Sequence, residues 1–416
     1  MHTPLTLAAL RPRVAGIKQA DNQKRGDNMR TITATTALAT LSLACAGNAF
    51  AQSSVTLYGV ADMGIEYVNH LGNVPTPANG FNPGPAHDVV RVTSGHRAGS
   101  RWGLRGKEDL GGGWSSVFVL ENGFNLDTGT TQQGRLFGRQ AFVGLTSASV
   151  GQFSFGRQYT SMFEALANFS PTRYGGYEPA ALQSGAAFRE DNMVKYTGHF
   201  GAVTTLAHYS FGTGMALPQV VGTGFAVGGN GEVPGSARRD SAYGAAVAYN
   251  GGALGLVAAY DQVNPTIGTS SGTFRKAAVG GSFSTDSVSV MGGYRWGQSK
   301  GPAGGDIQRD DYYWIGVIYQ FRPAFSVTLE YTYDNLRSVF ANTNLPNPWQ
   351  LTLLASYTLS KRTELYLSTA YSKNAGLMMD SGLTTYANTL ALGNSLVLGN
   401  GKDSMFGAVV GIRHVF

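Results

Sequence analysis

The chain has 416 residues, and 57 of them are glycine, about twice the usual share of ~7%. Charged residues make up only 13%, roughly half the ~25% of an ordinary soluble protein, while aromatic residues reach 11%. Low charge with many rings excludes a disordered chain, abundant glycine argues against a helical enzyme, and no apolar run approaches the ~18 residues of a membrane-spanning helix. A large, glycine-punctuated, aromatic-rich β protein remains.

In chain order the first element is an export signal. Arg30 precedes an apolar run from Thr31 to Ala46, and Ala49-Phe50-Ala51 follows as an A-x-A cleavage site. Met29 is the natural initiator, so residues 1–28 read as a start assigned too early, 29–51 as signal peptide and 52–416 as the mature protein. Removing 1–51 leaves 365 residues without cysteine and a net charge of about +2. The precursor's +6 therefore carries no case for nucleic-acid binding. An exported chain of this size without disulfides must be held another way, and a closed β-barrel is one such way.

The mature chain reads as alternating strands. In 325–334, Phe325, Val327, Leu329, Tyr331 and Tyr333 alternate with Ser326, Thr328, Glu330, Thr332 and Asp334; 348–360 behaves likewise. A soluble sandwich would share this dyad, but segments of about ten residues with aromatics near their ends suit a bilayer crossing. Sixteen strands are predicted near 54–69, 90–107, 114–126, 135–147, 151–158, 190–198, 202–212 and 239–250, then near 253–262, 273–284, 287–298, 309–322, 325–336, 348–360, 363–373 and 403–416. Tight connections such as 251–252 and 323–324 alternate with long ones at 70–89, 159–189, 213–238 and 374–402. That alternation predicts an all-β fold, a 16-stranded antiparallel transmembrane barrel. Its last strand sets Phe406, Ala408, Val410, Ile412, His414 and the terminal Phe416 on one face.

Several segments carry a resemblance. Ser54-Val55-Thr56-Leu57-Tyr58-Gly59-Val60-Ala61-Asp62 resembles the first strand of trimeric Gram-negative porins, especially those of β-proteobacteria. The run from Arg101 to Gly111 resembles their second strand and turn. Gly138–Leu145 and Phe155–Tyr159 resemble strands four and five, and Gly411–Phe416 resembles the C-terminal signature. The similarity runs through the mature chain in order. It implies a homotrimer in the outer membrane, among outer-membrane lipid and lipopolysaccharide, passing small hydrophilic solutes and ions without a cofactor. It also implies insertion by the barrel-assembly machinery, with Phe416 as the recognition signal.

The family's third external loop folds inward to narrow the channel, and the matching segment is 159–189. By strand matching, the facing basic ladder falls on Arg101, Arg105, Arg139 and Arg189. Parity supports Arg101 and Arg105, opposite Trp102 and Leu104, and is mute for Arg139. Glu121 shares a face with Val117 and Val119 and is expected inward as the counter-charge. Ser170 and Tyr174 stand where enterobacterial porins carry loop carboxylates, which leaves Glu164 and Glu178 as the loop's acids. Four arginines against so few carboxylates predict a weakly anion-selective constriction. Arg157 shares parity with Phe153 and Phe155 and is expected at the subunit interface.

Catalytic signals are weak. Gly297-Gln298-Ser299-Lys300-Gly301 satisfies G-x-S-x-G without a following helix, and the seven histidines show no metal-ligand spacing. The alternatives are a substrate-specific channel for a sugar or an anion, which Tyr159, Phe163, Tyr174 and Tyr177 on the loop keep open, and a barrel enzyme.

Overall fold

A computed structural model describes residues 54–416 apart from 75–78, 81, 186, 215, 218–226, 229–230 and 380–395. The proposed leader, residues 1–51, lies outside the described residues, as do parts of the long loops at 213–238 and 374–402.

Sixteen antiparallel strands form one closed sheet. They are β1 (Ser54–Leu71), β2 in two pieces (His87–Ser94 and Arg101–Gly111), β3 (Trp114–Gly123), β4 (Gln140–Ser147) and β5 (Gly151–Tyr159). Next come β6 (Arg189–Phe200), β7 (Val203–Ser210), β8 (Ala242–Gly251), β9 (Leu254–Val263) and β10 (Thr273–Ser284). The last six are β11 (Val288–Lys300), β12 (Asp306–Arg322), β13 (Phe325–Val339), β14 (Trp349–Thr358), β15 (Thr363–Lys373) and β16 (Ser404–Val415). Each strand pairs with the next, and β1 pairs with β16 from Val60↔Val415 to Val68↔Gly407. Closure leaves the barrel sheet no free edge.

Tight turns join the strands at one end and long loops at the other. The two-residue turns after β6 and β8 begin at Gly201 (φ +63°) and Gly252 (φ +59°), a left-handed conformation that glycine adopts without steric cost. Along each strand one set of side chains faces out and is apolar: Leu57, Ile65, Val143, Phe155, Ile315 and Val410 are all exposed. Outward rings gather in two belts. Tyr294, Tyr313 and Tyr333 form a chain with centroids 5.2 and 6.4 Å apart near the loop end. Tyr319, Phe321 and Phe325, 4.4 and 5.4 Å apart, stand near the turn end. Such girdles mark the two water–lipid interfaces of a transmembrane barrel.

Two predicted boundaries are corrected. The fourth strand starts at Gln140 rather than 135, because residues 135–139 form turns and bends before the ladder begins. The second strand is interrupted over 95–100, where Asp62 accepts the Ala98 N–H at 2.8 Å and Ser100 Oγ accepts the Asp62 N–H at 3.1 Å. Side chain and backbone of β1 thus take over hydrogen bonds that the ladder would have supplied.

Candidate functional site

Between Tyr159 and Arg189 the chain folds into the lumen. Thr160 Oγ1 accepts the Phe163 N–H at 3.4 Å and caps a short helix, α1 (Ser161–Leu166). Met162 and Leu166 of α1, with Phe169 and Leu182 beyond it, are buried against the inner wall of β7–β12. That wall is built of small side chains, Ala246 and Ala248 on β8 and Ala259 on β9, which leave room for the loop. Trp314 Nε1–H donates to the Phe169 carbonyl at 2.8 Å. Further along, Tyr177 is fully buried and donates its hydroxyl to Glu66 at 2.8 Å, while Gln350 donates to the Tyr177 carbonyl at 2.6 Å. The interruption in β2 receives the same stretch: Gly176 N–H donates to the His96 carbonyl at 2.8 Å, and Arg97 to the Thr172 carbonyl at 3.1 Å. The loop is thereby pinned on both sides of the lumen.

Glu178 is corrected. Expected as a lumen acid, it is only 1% exposed. It accepts from Ser170 Oγ at 2.5 Å, from the Thr172 and Tyr174 N–H groups at 3.2 and 3.0 Å, and from the Thr172 hydroxyl. Burial pushes its carboxyl above the usual range, and those donors oppose the shift. Glu178 holds the loop's own turn together. Glu164 does face the lumen, and it pairs with Lys195 of β6, whose ammonium also donates to the Tyr159 carbonyl at 2.9 Å. Tyr159, Phe163 and Tyr174 stack on one another, with centroids 5.0 and 4.6 Å apart.

Arg101, Arg105 and Arg139 stand on the β2–β4 side, and Arg189 stands at the start of β6. Arg139 Nε donates to Glu121 Oε1 at 2.8 Å, and Arg101 lies 3.8 Å from Oε2 of the same carboxylate. Tyr58 donates to Glu121 at 2.9 Å, and Arg105 lies 5.3 Å over the Tyr58 ring. The Tyr159 hydroxyl accepts from Arg139 at 2.7 Å and from Arg189 at 3.1 Å, and the Arg189 guanidinium lies 4.6 Å over that ring. The four arginines, one glutamate and two tyrosines form a continuous cluster. Arg139 would point outward by the parity of β4, where Val143 and Leu145 are exposed. It sits just before the ladder, which begins at Gln140, and so escapes that parity.

Arg157 does not follow Phe153 and Phe155. Its Nε donates to the Gly138 carbonyl and its Nη1 to Asp191, both at 2.7 Å, and Asp191 also takes Arg135 at 2.5 Å. The β5–β6 register breaks between Gly156 and Gln158, with Gly156 at φ +126°, so period-2 counting stops there. Three further lumen groups went unsingled in the sequence: Tyr58, Lys107 and Lys195. Lys107 shares the face of Arg101 and Arg105, so the same parity could have found it. Ser299 of the G-x-S-x-G pattern lies inside β11 with no helix after it. Histidine spacing disclosed no metal ligands, yet the strand register brings Glu190, His208 and Asp261 within 4.8 Å of one another.

A closed barrel with an apolar outer face, two aromatic belts and a charged lumen narrowed by an inward loop defines a membrane-spanning diffusion channel. Residues 34–377 match the Gram-negative porin family. An outer membrane porin of Bordetella pertussis is 31% identical, over 82% of this chain and 94% of its own. Outer membrane porin protein 32 of Delftia acidovorans is 30% identical, over 90% of this chain and 97% of its own. Among solved structures, an anion-selective porin from Comamonas acidovorans superposes with a TM-score of 0.66 at 24% identity, covering 88% of this chain and 100% of its own. The chain belongs to the Gram-negative porins. It resides in the outer membrane as a water-filled channel for passive diffusion of small hydrophilic solutes and ions.

Proposed function

We propose that this channel prefers anions, weakly, and that the preference is set by Arg101, Arg105, Arg139 and Arg189. The observation that carries this is the charge balance around the arginine cluster. Glu66 faces Arg91, Glu121 faces both Arg139 and Arg101, Glu164 faces Lys195, and Glu364 faces both Arg97 and Arg413. Each of these carboxylates has at least one base. Arg105 and Lys107 are exposed and, among the described residues, pair with no acid; Arg173 on the loop is also exposed. At a few ångströms and an intermediate dielectric each surplus charge changes the energy of a passing ion by on the order of 1 kcal/mol. The anion selectivity of the Comamonas acidovorans porin supports the same sign.

The test is the reversal potential of the reconstituted channel in a salt gradient. A modest anion preference at low salt, fading in concentrated electrolyte as the Debye length shrinks below ~10 Å, is the expected result. Clear cation preference in the wild type would overturn the reading. The loop's rings favour a non-specific path over a sugar channel, since Tyr159, Phe163 and Tyr174 stack on one another and Tyr177 is buried.

The same reading takes residues 29–51 as a cleaved export signal and the functional unit as a homotrimer in outer-membrane lipid. Phe416 serves as the signal read by the barrel-assembly machinery.

A further inference from the structure

Glu190, His208 and Asp261 stand on β6, β7 and β9, with side-chain exposures of 0%, 0% and 1%. In the sheet His208 lies opposite Gly244 of β8, and Gly244 lies opposite Asp261. A Cβ on Gly244 would sit 2.6 Å from His208 Cε1 and 2.8 Å from Asp261 Oδ1. The glycine of the middle strand therefore leaves the space in which the flanking side chains converge. His208 Nε2 is 3.3 Å from Glu190 Oε2 and 3.6 Å from Asp261 Oδ1. Four-coordinate zinc, with bonds of ~2.1 Å, sets its ligand atoms about 3.4 Å apart. The spacing fits.

Glu190 supplies a second, separate observation. It is wholly buried, and neither carboxylate oxygen has a hydrogen-bond partner among the described residues. Its polar neighbour is His208 Nε2, which brings a counter-charge only when the imidazole is protonated. The nearby bases are engaged elsewhere. Lys195 donates to the Tyr159 carbonyl and pairs with Glu164, Lys276 donates to the Ala181 and Gly185 carbonyls, and Arg157 pairs with Asp191. An uncompensated carboxylate is costly in such a place, and a bound cation removes the cost.

The imidazole is also oriented from behind. His208 Nδ1 lies 2.8 Å from Ser161 Oγ and 3.2 Å from the Ser161 nitrogen. The Ser161 N–H donates to Nδ1 in the ion-free site; when Nε2 takes a cation the imidazole proton moves to Nδ1, where Ser161 Oγ accepts it, the outer-sphere arrangement common to histidine ligands. Ser161 is the first residue of α1, so the cluster joins the barrel wall to the root of the inward loop.

We propose that Glu190, His208 and Asp261 form a binding site for a divalent cation of the zinc class, which fastens the constriction loop to the wall. One nitrogen and two carboxylates suit such an ion, whereas calcium takes six or more oxygens and magnesium an octahedral shell. The second oxygen of Glu190, or a water, completes the coordination.

The experiment uses the folded protein in detergent, stripped with a chelator and titrated with Zn²⁺ and, in parallel, with Co²⁺. The expected result is uptake of about one ion per chain with the visible d–d bands of four-coordinate Co²⁺. Zn²⁺ should also raise the temperature at which the heat-resistant folded form is lost, and the chelator should reverse that rise. Glu190→Gln and His208→Gln should each abolish the Co²⁺ bands, and Ser161→Ala should weaken binding roughly 10-fold. Wild-type protein alone decides the matter should the variants not fold: absence of stoichiometric uptake, or uptake without four-coordinate bands, overturns the site. Bands unchanged in both variants overturn it equally. None of these readings depends on ion selectivity, so failure here leaves the diffusion channel standing.

Discussion

At the scale of single residues, two of the basic side chains differ in how firmly they are held. Arg101 leans on Glu121, whereas Arg105 stacks on Tyr58 and otherwise meets water. On the proposed reading both act through the field they set up, not through contact with a particular solute. Changing Arg101 and Arg105 together to glutamate swings the local charge by four units, an electrostatic change on the order of several kcal/mol before screening. The reversal potential in a low-salt gradient should move toward cations, with no loss of the folded barrel on heat-modifiability gels. An unchanged potential would show that other groups set the preference. Parity alone identified the faces of Arg101, Arg105 and Glu121, because they lie in unbroken ladder. It could not reach Arg139 or Arg157, which sit at a bend and at a bulge where period-2 counting loses its meaning. Glu178 was misassigned for another reason. An acid in a loop sequence gives no hint of the donors that the fold will turn toward it, here Ser170 and Thr172 together with two backbone N–H groups.

At the scale of elements, the inward loop is seated chiefly by apolar contact with the β7–β12 wall. Pro171 of the loop rests over Gly316 of β12, where an added Cβ would lie 2.4 Å from the proline Cγ. Gly316→Leu should therefore lift the loop from its seat, since a side chain of that size cannot share the space. The expected outcome is a changed single-channel conductance with noisier current, while the barrel still inserts. Conductance identical to wild type would mean that the Tyr177 and Glu178 anchors suffice to hold the loop. The small inner residues that make this seat possible, Ala246, Ala248 and Ala259, alternate with outward Val247, Tyr249 and Ala258. In sequence such strands read as apolar on both faces, so the seat could not be told from a soluble core. The strand count was legible because turn glycines and long loops punctuate sixteen similar segments. The gap in β2 was not, since it depends on Asp62 and Ser100 meeting across strands.

At the scale of the whole molecule, the ring of strands closes where the chain ends. Phe416 exchanges backbone hydrogen bonds with Gly59 at 3.0 and 3.1 Å, and its ring lies where a Cβ on Gly59 would be, 2.2 Å from the nearest ring carbon. Deleting Phe416 removes the last rung between β1 and β16. Outer-membrane yield should fall and periplasmic aggregate rise, as measured by fractionation; normal insertion would show the residue to be dispensable. For the proposed trimer, unboiled protein should migrate at about three times the monomer mass and collapse on heating. A monomer after mild extraction would refute it.

The loop's attachment to one wall has a consequence for whatever passes. With β7–β12 covered by packed apolar side chains and Arg101, Arg105 and Arg139 standing on the β2–β4 side, the narrowest part of the lumen is electrically lopsided. A neutral solute with separated positive and negative ends feels no net pull along the axis, but it does feel a turning force. It should cross with its negative end toward Arg101 and Arg105, so that passage is restricted to one orientation. Two isomers of equal size and zero net charge, differing only in the direction of their dipole relative to their long axis, would then permeate at different rates.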